Sequence, residues 1–271
     1  MINKILVPVD FSGHAINATE AAISLSRLYE CQLIFYVVVN DLPSKSTTEK
    51  SIDLGVEEKL NNLIGQFDYK GIEVEKVFSS GKGEFIHAIQ QYISNNAIDL
   101  VVMGSHGTSG PKNTAIGSNA LKLIRDLPCP ILVINEKVTN FGLNKIVFIS
   151  NFDNDNLAPF QQILKMILPF KSELHLLNID TPGFFKDSDT IMKPAMEAFQ
   201  KHAEENGFVC HAYRKSNTLI EQGINEFIEQ VQPDMVLIPT HKRSMLQRLF
   251  VSSLAEAVIN HVGLPVMTMK I

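Results

Sequence analysis

The sequence predicts an α/β protein of two tandem doubly wound domains, each a five-stranded parallel sheet flanked by helices. Three observations predict it. Asn3-Lys4-Ile5-Leu6-Val7 returns as Asn144-Lys145-Ile146-Val147-Phe148, an offset of 141 residues. Later in each half the offset is 135: Asp99-Leu100-Val101-Val102-Met103 returns as Asp234-Met235-Val236-Leu237-Ile238, and Cys129-Pro130-Ile131-Leu132-Val133 as Leu264-Pro265-Val266-Met267-Thr268. Within each copy, short continuous apolar runs alternate with longer helical patterns, which marks parallel strands buried on both faces. A period of this length is too long for a solenoid and reads as duplicated domains. The boundaries expected are 1–138 and 143–271, joined around Glu136 to Gly142.

In the first copy, strands are expected at 4–9, 32–38, 73–78, 100–103 and 131–134. A helix at 15–29 would place Ala18, Ala21, Ala22, Leu25 and Leu28 on one apolar stripe. A second, at 85–93, aligns Phe85, Ile86, Ile89 and Ile93, and a third, at 115–127, aligns Ile116, Leu121 and Ile124. The second copy repeats the order, with strands at 145–149, 173–177, 208–213, 235–238 and 265–269. Segments 47–67 and 189–206 read as helices preceded by loops.

Composition narrows the function. The chain has 271 residues with 24 basic and 29 acidic side chains, a formal charge of −5. Residues 1–140 carry 12 basic and 15 acidic groups, and 141–271 carry 12 and 14, so the halves match at −3 and −2. This mild acidity argues against a general nucleic-acid binder, which shows a basic stripe. No stretch approaches the roughly 18 apolar residues of a membrane span. The opening Met1–Pro8 apolar run meets Asp10 at once and does not read as a signal peptide. Cys31, Cys129 and Cys210 form no CxxC pair and no disulfide framework, so a reducing cytoplasm is the expected home.

In open parallel sheets, ligands bind beyond the carboxyl ends of the strands, where the winding order reverses. The tips to inspect are Pro8-Val9-Asp10 and the segment from Gly104. There the spacing is Gly104, two residues, Gly107, nine residues, Gly117, Ser118. Glycines let backbone approach a ligand closely. Gly117-Ser118-Asn119 at a helix start would offer backbone N–H groups and a hydroxyl to an anion. Together these describe a phosphate cradle. The alternative is a loop that merely turns the chain, with Ser118 as the helix N-cap. The pattern is neither a Walker loop nor the dinucleotide fingerprint, whose glycines follow the first strand.

These residues resemble the universal stress proteins. Nucleotide-binding members of that family carry a G-2x-G-9x-G-(S/T) signature, which Gly104, Gly107, Gly117 and Ser118 match without a gap. The opening Lys4–Ser12, Asp99–Gly107 and Cys129–Val133 are similarly typical. The resemblance implies a bound ATP, or ADP or AMP, in the first copy. By matching positions, Val9 and Asp10 would lie at the adenosine end, with Asp10 near the ribose or a metal. Val37 would sit beside the base, and Met103 and Gly104 would line the ribose and adenine side. His106, Gly107, Gly117, Ser118 and Asn119 would hold the phosphates. Gly83 matches the glycine after strand three, but Phe85 replaces the usual proline two residues later. Any Mg²⁺ would be held mainly by phosphate oxygens. Domains of the family pair through their last strands, which implies an intramolecular pseudo-dimer here, and two chains can pair further as a homodimer.

The second copy departs from the signature. Gly104 becomes Pro239, Gly107 becomes Lys242, Gly117-Ser118 becomes Ser252-Ser253, Asp10 becomes Asn151 and Gly83 becomes Thr218, while His106 persists as His241. Proline removes an N–H, so this copy is not expected to hold ATP in the family manner. Lys242, Arg243 and Arg248 read as a solvated basic loop. His14, His87, His175, His202, His211 and His261 show no metal-ligand spacing and read as surface or satisfied side chains. Asp153-Asn154-Asp155-Asn156 lacks the glycine and closing Glu of a calcium loop. The favoured reading is a nucleotide-binding regulatory protein of the stress response. A slow ATP-hydrolysing or adenylyl-transferring enzyme is a second, although no general base stands out and neither SGGxDS nor HxGH occurs. A non-nucleotide interaction module acting through the second copy is a third.

Overall fold

The computed structural model describes residues 2–39, 54–80, 85–107, 116–138, 141–152, 157–181, 188–240, 254, 258–259 and 263–270. The chain divides into two compact units, Ile2–Thr139 and Asn140–Ile271.

The N-terminal unit holds β1 (Lys4–Val9), α1 (Gly13–Tyr29), β2 (Gln32–Val39), α2 (Leu54–Ile64), β3 (Val74–Ser80), α3 (Phe85–Asn96), β4 (Leu100–Gly104), α4 (Ser118–Asp126) and β5 (Ile131–Ile134). Its sheet is parallel throughout, in the order β3-β2-β1-β4-β5. The C-terminal unit holds β6 (Lys145–Ile149), α5 (Leu157–Ile167) with a short 3-10 turn after it, β7 (Glu173–Asp180), α6 (Ser188–Glu205), β8 (Cys210–Ser216), α7 (Ile220–Val231), β9 (Met235–Thr240) and β10 (Val266–Lys270). Its order is β10-β9-β6-β7-β8, also all parallel. Each unit is the doubly wound sheet the sequence predicts. In each, the winding reverses beside the first strand, between β1 and β4 and between β6 and β9.

The central strands earn their burial from composition. Ile5, Leu6, Val7, Leu33, Ile34, Phe35, Leu100, Val101 and Val102 have no exposed surface, and Ile146, Val147, Leu174, Leu176, Val236 and Leu237 match them. Edge strands differ. β3 and β8 run past their expected ends at 78 and 213, through Ser79-Ser80 and Arg214-Lys215-Ser216. Polar residues are tolerated there because only one neighbour strand covers the edge. Arg214 pairs with Asp180 at 2.8 Å across β7 and β8, which also carries β7 beyond its apolar run.

Helix ends correct three expectations. α1 is capped by Ser12, whose hydroxyl accepts from the Ala15 N–H. Its stripe buries Ala18, Ala21, Ala22 and Leu25, but Leu28, in the last turn, is 39% exposed. α2 stops at Ile64, where Gly65 opens a turn. α4 begins at Ser118, not 115, because Gly117 is extended and serves as the N-cap. Ser118 is therefore the first helical residue rather than the cap.

The duplication extends to backbone detail. Phe11 and Phe152, Glu30 and Lys171, and Ala97 and Gln232 are matched non-glycine residues in the left-handed region. Asp99 Oδ2 accepts from the N–H groups of Asn3 and Lys4 at 2.7 and 3.0 Å. Asp234 Oδ2 accepts from Asn144 and Lys145 at 2.7 and 2.9 Å. Among the described residues no helix is long and apolar enough to cross a membrane. The three cysteines are free thiols.

Candidate functional site

The site forms where β1 and β4 end side by side. Val9 closes β1 and lies level with Val37 of β2, both 3% exposed. β2 runs two residues beyond Val37. Met103 and Gly104 close β4, paired with Val133 and Ile134 of β5. Beyond these tips the chain turns sharply. Asp10 accepts from the Ser12 N–H at 3.1 Å and the Ser12 hydroxyl at 2.7 Å, which holds the intervening Phe11 in its left-handed conformation (φ 62°). The Ser12 hydroxyl also reaches the His106 carbonyl at 3.3 Å, tying the two tips together.

The signature glycines pack closely on the protein itself, Gly104 and Gly117 against backbone and Gly107 against the end of a side chain. A Cβ on Gly104 would meet the His14 Cβ at 2.6 Å and the His14 backbone at 2.9 to 3.0 Å, so glycine here lets α1 lie against β4. A Cβ on Gly107 would meet Asp10 Oδ2 at 2.7 Å. A Cβ on Gly117 would meet the Ser105 carbonyl oxygen at 3.2 Å and the His106 Cα at 3.4 Å. The Gly117 N–H donates to the Ser105 carbonyl at 2.8 Å, which pins the start of α4 beneath the Ser105–Gly107 turn. Ser118 and Asn119 are exposed in the first turn of α4. Helix geometry leaves the first N–H groups there without partners inside the helix. Gly83 lies outside the described residues, as do 108–115.

A polar chain that sequence reasoning missed lies beneath this arrangement. The Ser105 hydroxyl stands 3.1 Å from Nδ1 of His14 and 3.1 Å from Nδ1 of His106. The two imidazole rings are 4.9 Å apart. Nε2 of His14 reaches Glu136, just past β5, at 3.2 Å. Ser105 is fully buried. Burial pushes the His14 imidazole below the ordinary histidine range, against the opposing pull of Glu136 and Asp10. His106 is lowered by burial and by His14, with Glu136 opposing. His14 is a satisfied side chain, as read from the sequence, but it is satisfied at the site. The available signal was position: the second residue of α1, directly behind the Ser12 cap.

A model of the universal stress protein family matches residues 1–135 and again 143–270. The chain belongs to the universal stress protein family. Universal stress protein YxiE of Bacillus subtilis is 26% identical over 152 residues, which cover 49% of this chain and 99% of that protein. Universal stress protein MJ0531 of Methanocaldococcus jannaschii is 23% identical over 146 residues, covering 50% and 84%. A crystal structure of a universal stress protein from Archaeoglobus fulgidus matches the whole chain in fold, with a TM-score of 0.72 at 18% identity over 99% of this chain and 98% of that one. The single-length relatives correspond to one unit, and the longer structure to the tandem universal stress protein fold.

In the second universal stress protein unit the equivalent tips are built differently. Pro239 occupies the place of Gly104, opposite Met269 of β10. Asn151 stands for Asp10, and the turn is held instead by the Phe152 N–H donating to the Ser150 hydroxyl at 3.2 Å. Phe152 is buried against Phe148 and Phe199. Residues 241–253, with His241, Lys242, Arg243, Arg248 and Ser252-Ser253, lie outside the described residues, as do 153–156 and His261. A cavity of about 840 Å³ in this unit is lined by Thr181, Thr218 and the α7 residues Glu221, Glu226 and Glu229 among others.

Proposed function

We propose that the N-terminal unit binds an adenine nucleotide (ATP, ADP or AMP) as a regulatory ligand, and that the C-terminal unit does not hold one in the same manner. The observation that carries this reading is the convergence of the complete glycine signature with the β1 tip at the point where the sheet's winding reverses. Gly107 packs on Asp10 and Gly117 packs on the Ser105–His106 turn. Exposed Ser118 and Asn119 begin α4 beside them. A helix start next to closely packed backbone suits an anion of phosphate geometry. Val9, Val37 and Met103 supply an apolar side for a base, and Asp10 a carboxylate for ribose hydroxyls. The residues thus fit the nucleotide the family signature implies. Mg²⁺, where present, would be held mainly by the phosphates, since the described residues contain no group of three or more His, Cys, Asp or Glu arranged for a metal.

In the second unit, Pro239 and Asn151 replace two of the fitted groups. Among the described residues, Glu221, Glu226 and Glu229 line its cavity, a set of charges that disfavours a polyphosphate. That observation favours a second, non-nucleotide role for this unit.

Thermal melting with and without MgATP tests the first reading. A ligand of the native state at 100 times its Kd adds about 2.7 kcal/mol, so the midpoint rises, and Gly107→Asp or Gly117→Asp abolishes the rise. No shift, together with no adenine nucleotide released from freshly purified protein in mass spectrometry, rejects it.

A further inference from the structure

We propose that the Glu136–His14–Ser105–His106 chain couples nucleotide binding to the uptake of one proton, with His14 acting as a positioning residue for His106. The proposal deepens the nucleotide reading of the same site and rests on it. The Ser105 hydroxyl owns one proton and touches two imidazole nitrogens, Nδ1 of His14 and Nδ1 of His106, each at 3.1 Å. It can donate to only one of them and must accept from the other. Glu136, 3.2 Å from Nε2 of His14, decides the direction. A carboxylate accepts, so the single proton of a neutral His14 sits on Nε2. Nδ1 of His14 then accepts from Ser105, and Ser105 accepts from Nδ1 of His106. Every bond in the chain points toward Glu136.

The consequence falls on His106. A neutral His106 spends its one proton on Nδ1, so its Nε2 carries a lone pair. A phosphate oxygen also carries lone pairs. His106 therefore meets a phosphate through Nε2 only as the imidazolium, which requires one proton from solvent. Both histidines lean neutral in the ligand-free protein because burial outweighs the nearby carboxylates. Among the described residues, the groups facing the pair are Asp10 from the β1 tip and Glu136 from beyond β5, while the first turn of α4 contributes no acid. An arriving polyphosphate adds negative charge beside the pair and raises its proton affinity, and Glu136 stabilises the resulting charge through the chain.

Calorimetric titration of MgATP in buffers of different ionisation enthalpy measures the proton count. The magnesium complex is used because its phosphates hold no titrating proton near neutrality. The wild-type protein is expected to take up close to one proton per nucleotide near pH 7. Its affinity should fall by up to about tenfold per pH unit on the alkaline side. In His14→Phe, Ser105 is released to donate to His106, whose proton moves to Nε2. This variant is expected to bind MgATP with little proton uptake and a flattened pH profile. Nitrogen-15 chemical shifts of the ligand-free wild-type protein provide a check that needs no variant: His106 is expected as the Nδ1–H tautomer. Binding of MgATP without proton uptake, or an Nε2–H tautomer at His106, overturns the inference and leaves the nucleotide reading standing. No binding between about pH 6 and 8 overturns both.

Discussion

At the scale of single residues, the site shows glycine acting where atoms of the protein are nearly in contact. Gly104→Ala drives a Cβ to 2.6 Å from the His14 Cβ and into its backbone, neither of which can swing away. The expected cost is about 1–3 kcal/mol of stability, read as a lower urea midpoint with an unchanged slope. Gly107→Ala meets only the end of the Asp10 side chain, so its expected effect is on MgATP affinity rather than on the urea midpoint. His175 offers a pH-dependent case in the other unit. It is 4% exposed on β7, stacks on Tyr213, and lies 3.0 Å from Glu173. Burial lowers its proton affinity, opposed by Glu173 and reinforced by His211 and Lys145. A histidine depressed in the folded state contributes stability above its unfolded value of 6.5, and that stability is lost as pH falls toward the folded value. Melting between about pH 7.5 and 5.5 should show the wild-type protein losing midpoint faster than His175→Leu. Parallel curves would reject this.

At the scale of elements, the strands were the most legible part of the sequence. Central strands read directly because they carry unbroken apolar runs, as in Ile5-Leu6-Val7 and Val101-Val102. Edge strands read short, since Arg214, Lys215 and Ser216 extend β8 through backbone pairing that composition does not announce. The glycine signature was visible as a spacing, but its packing reason needed the fold: nothing in the order of residues says that Gly104 faces His14, 90 positions away. The Ser105 chain was hidden for the same reason, since its four members come from α1, the β4 tip and the segment after β5. Asp99 and Asp234 illustrate the opposite case, in which a repeated residue reports a repeated bond. Each accepts two N–H groups at the start of the unit's first strand. Asp99→Ala and Asp234→Ala should each cost about 1–3 kcal/mol, measured by denaturant unfolding. Asparagine, which retains an acceptor oxygen, should recover part of the loss.

At the scale of the whole molecule, one half carries the complete signature and the other a different tip chemistry on a sheet of the same topology. Hydrogen exchange with saturating MgATP is expected to gain protection within 2–139 and to leave amides of 141–270 nearly unchanged. Equal protection of both units would contradict the assignment of unequal roles. The matched left-handed residues give this duplication an experimental use. Phe11 and Phe152 adopt φ of 62° and 52° after their respective first strands. Yet Phe11 precedes the Ser12 cap, whereas Phe152 belongs to an aromatic cluster with Phe148, Phe160 and Phe199. The same kink is thus retained under two different local demands. The chain supplies its own control, in which an identical backbone perturbation can be introduced once beside the proposed ligand and once beside a hydrocarbon core. The difference between the two responses isolates what occupancy alone contributes.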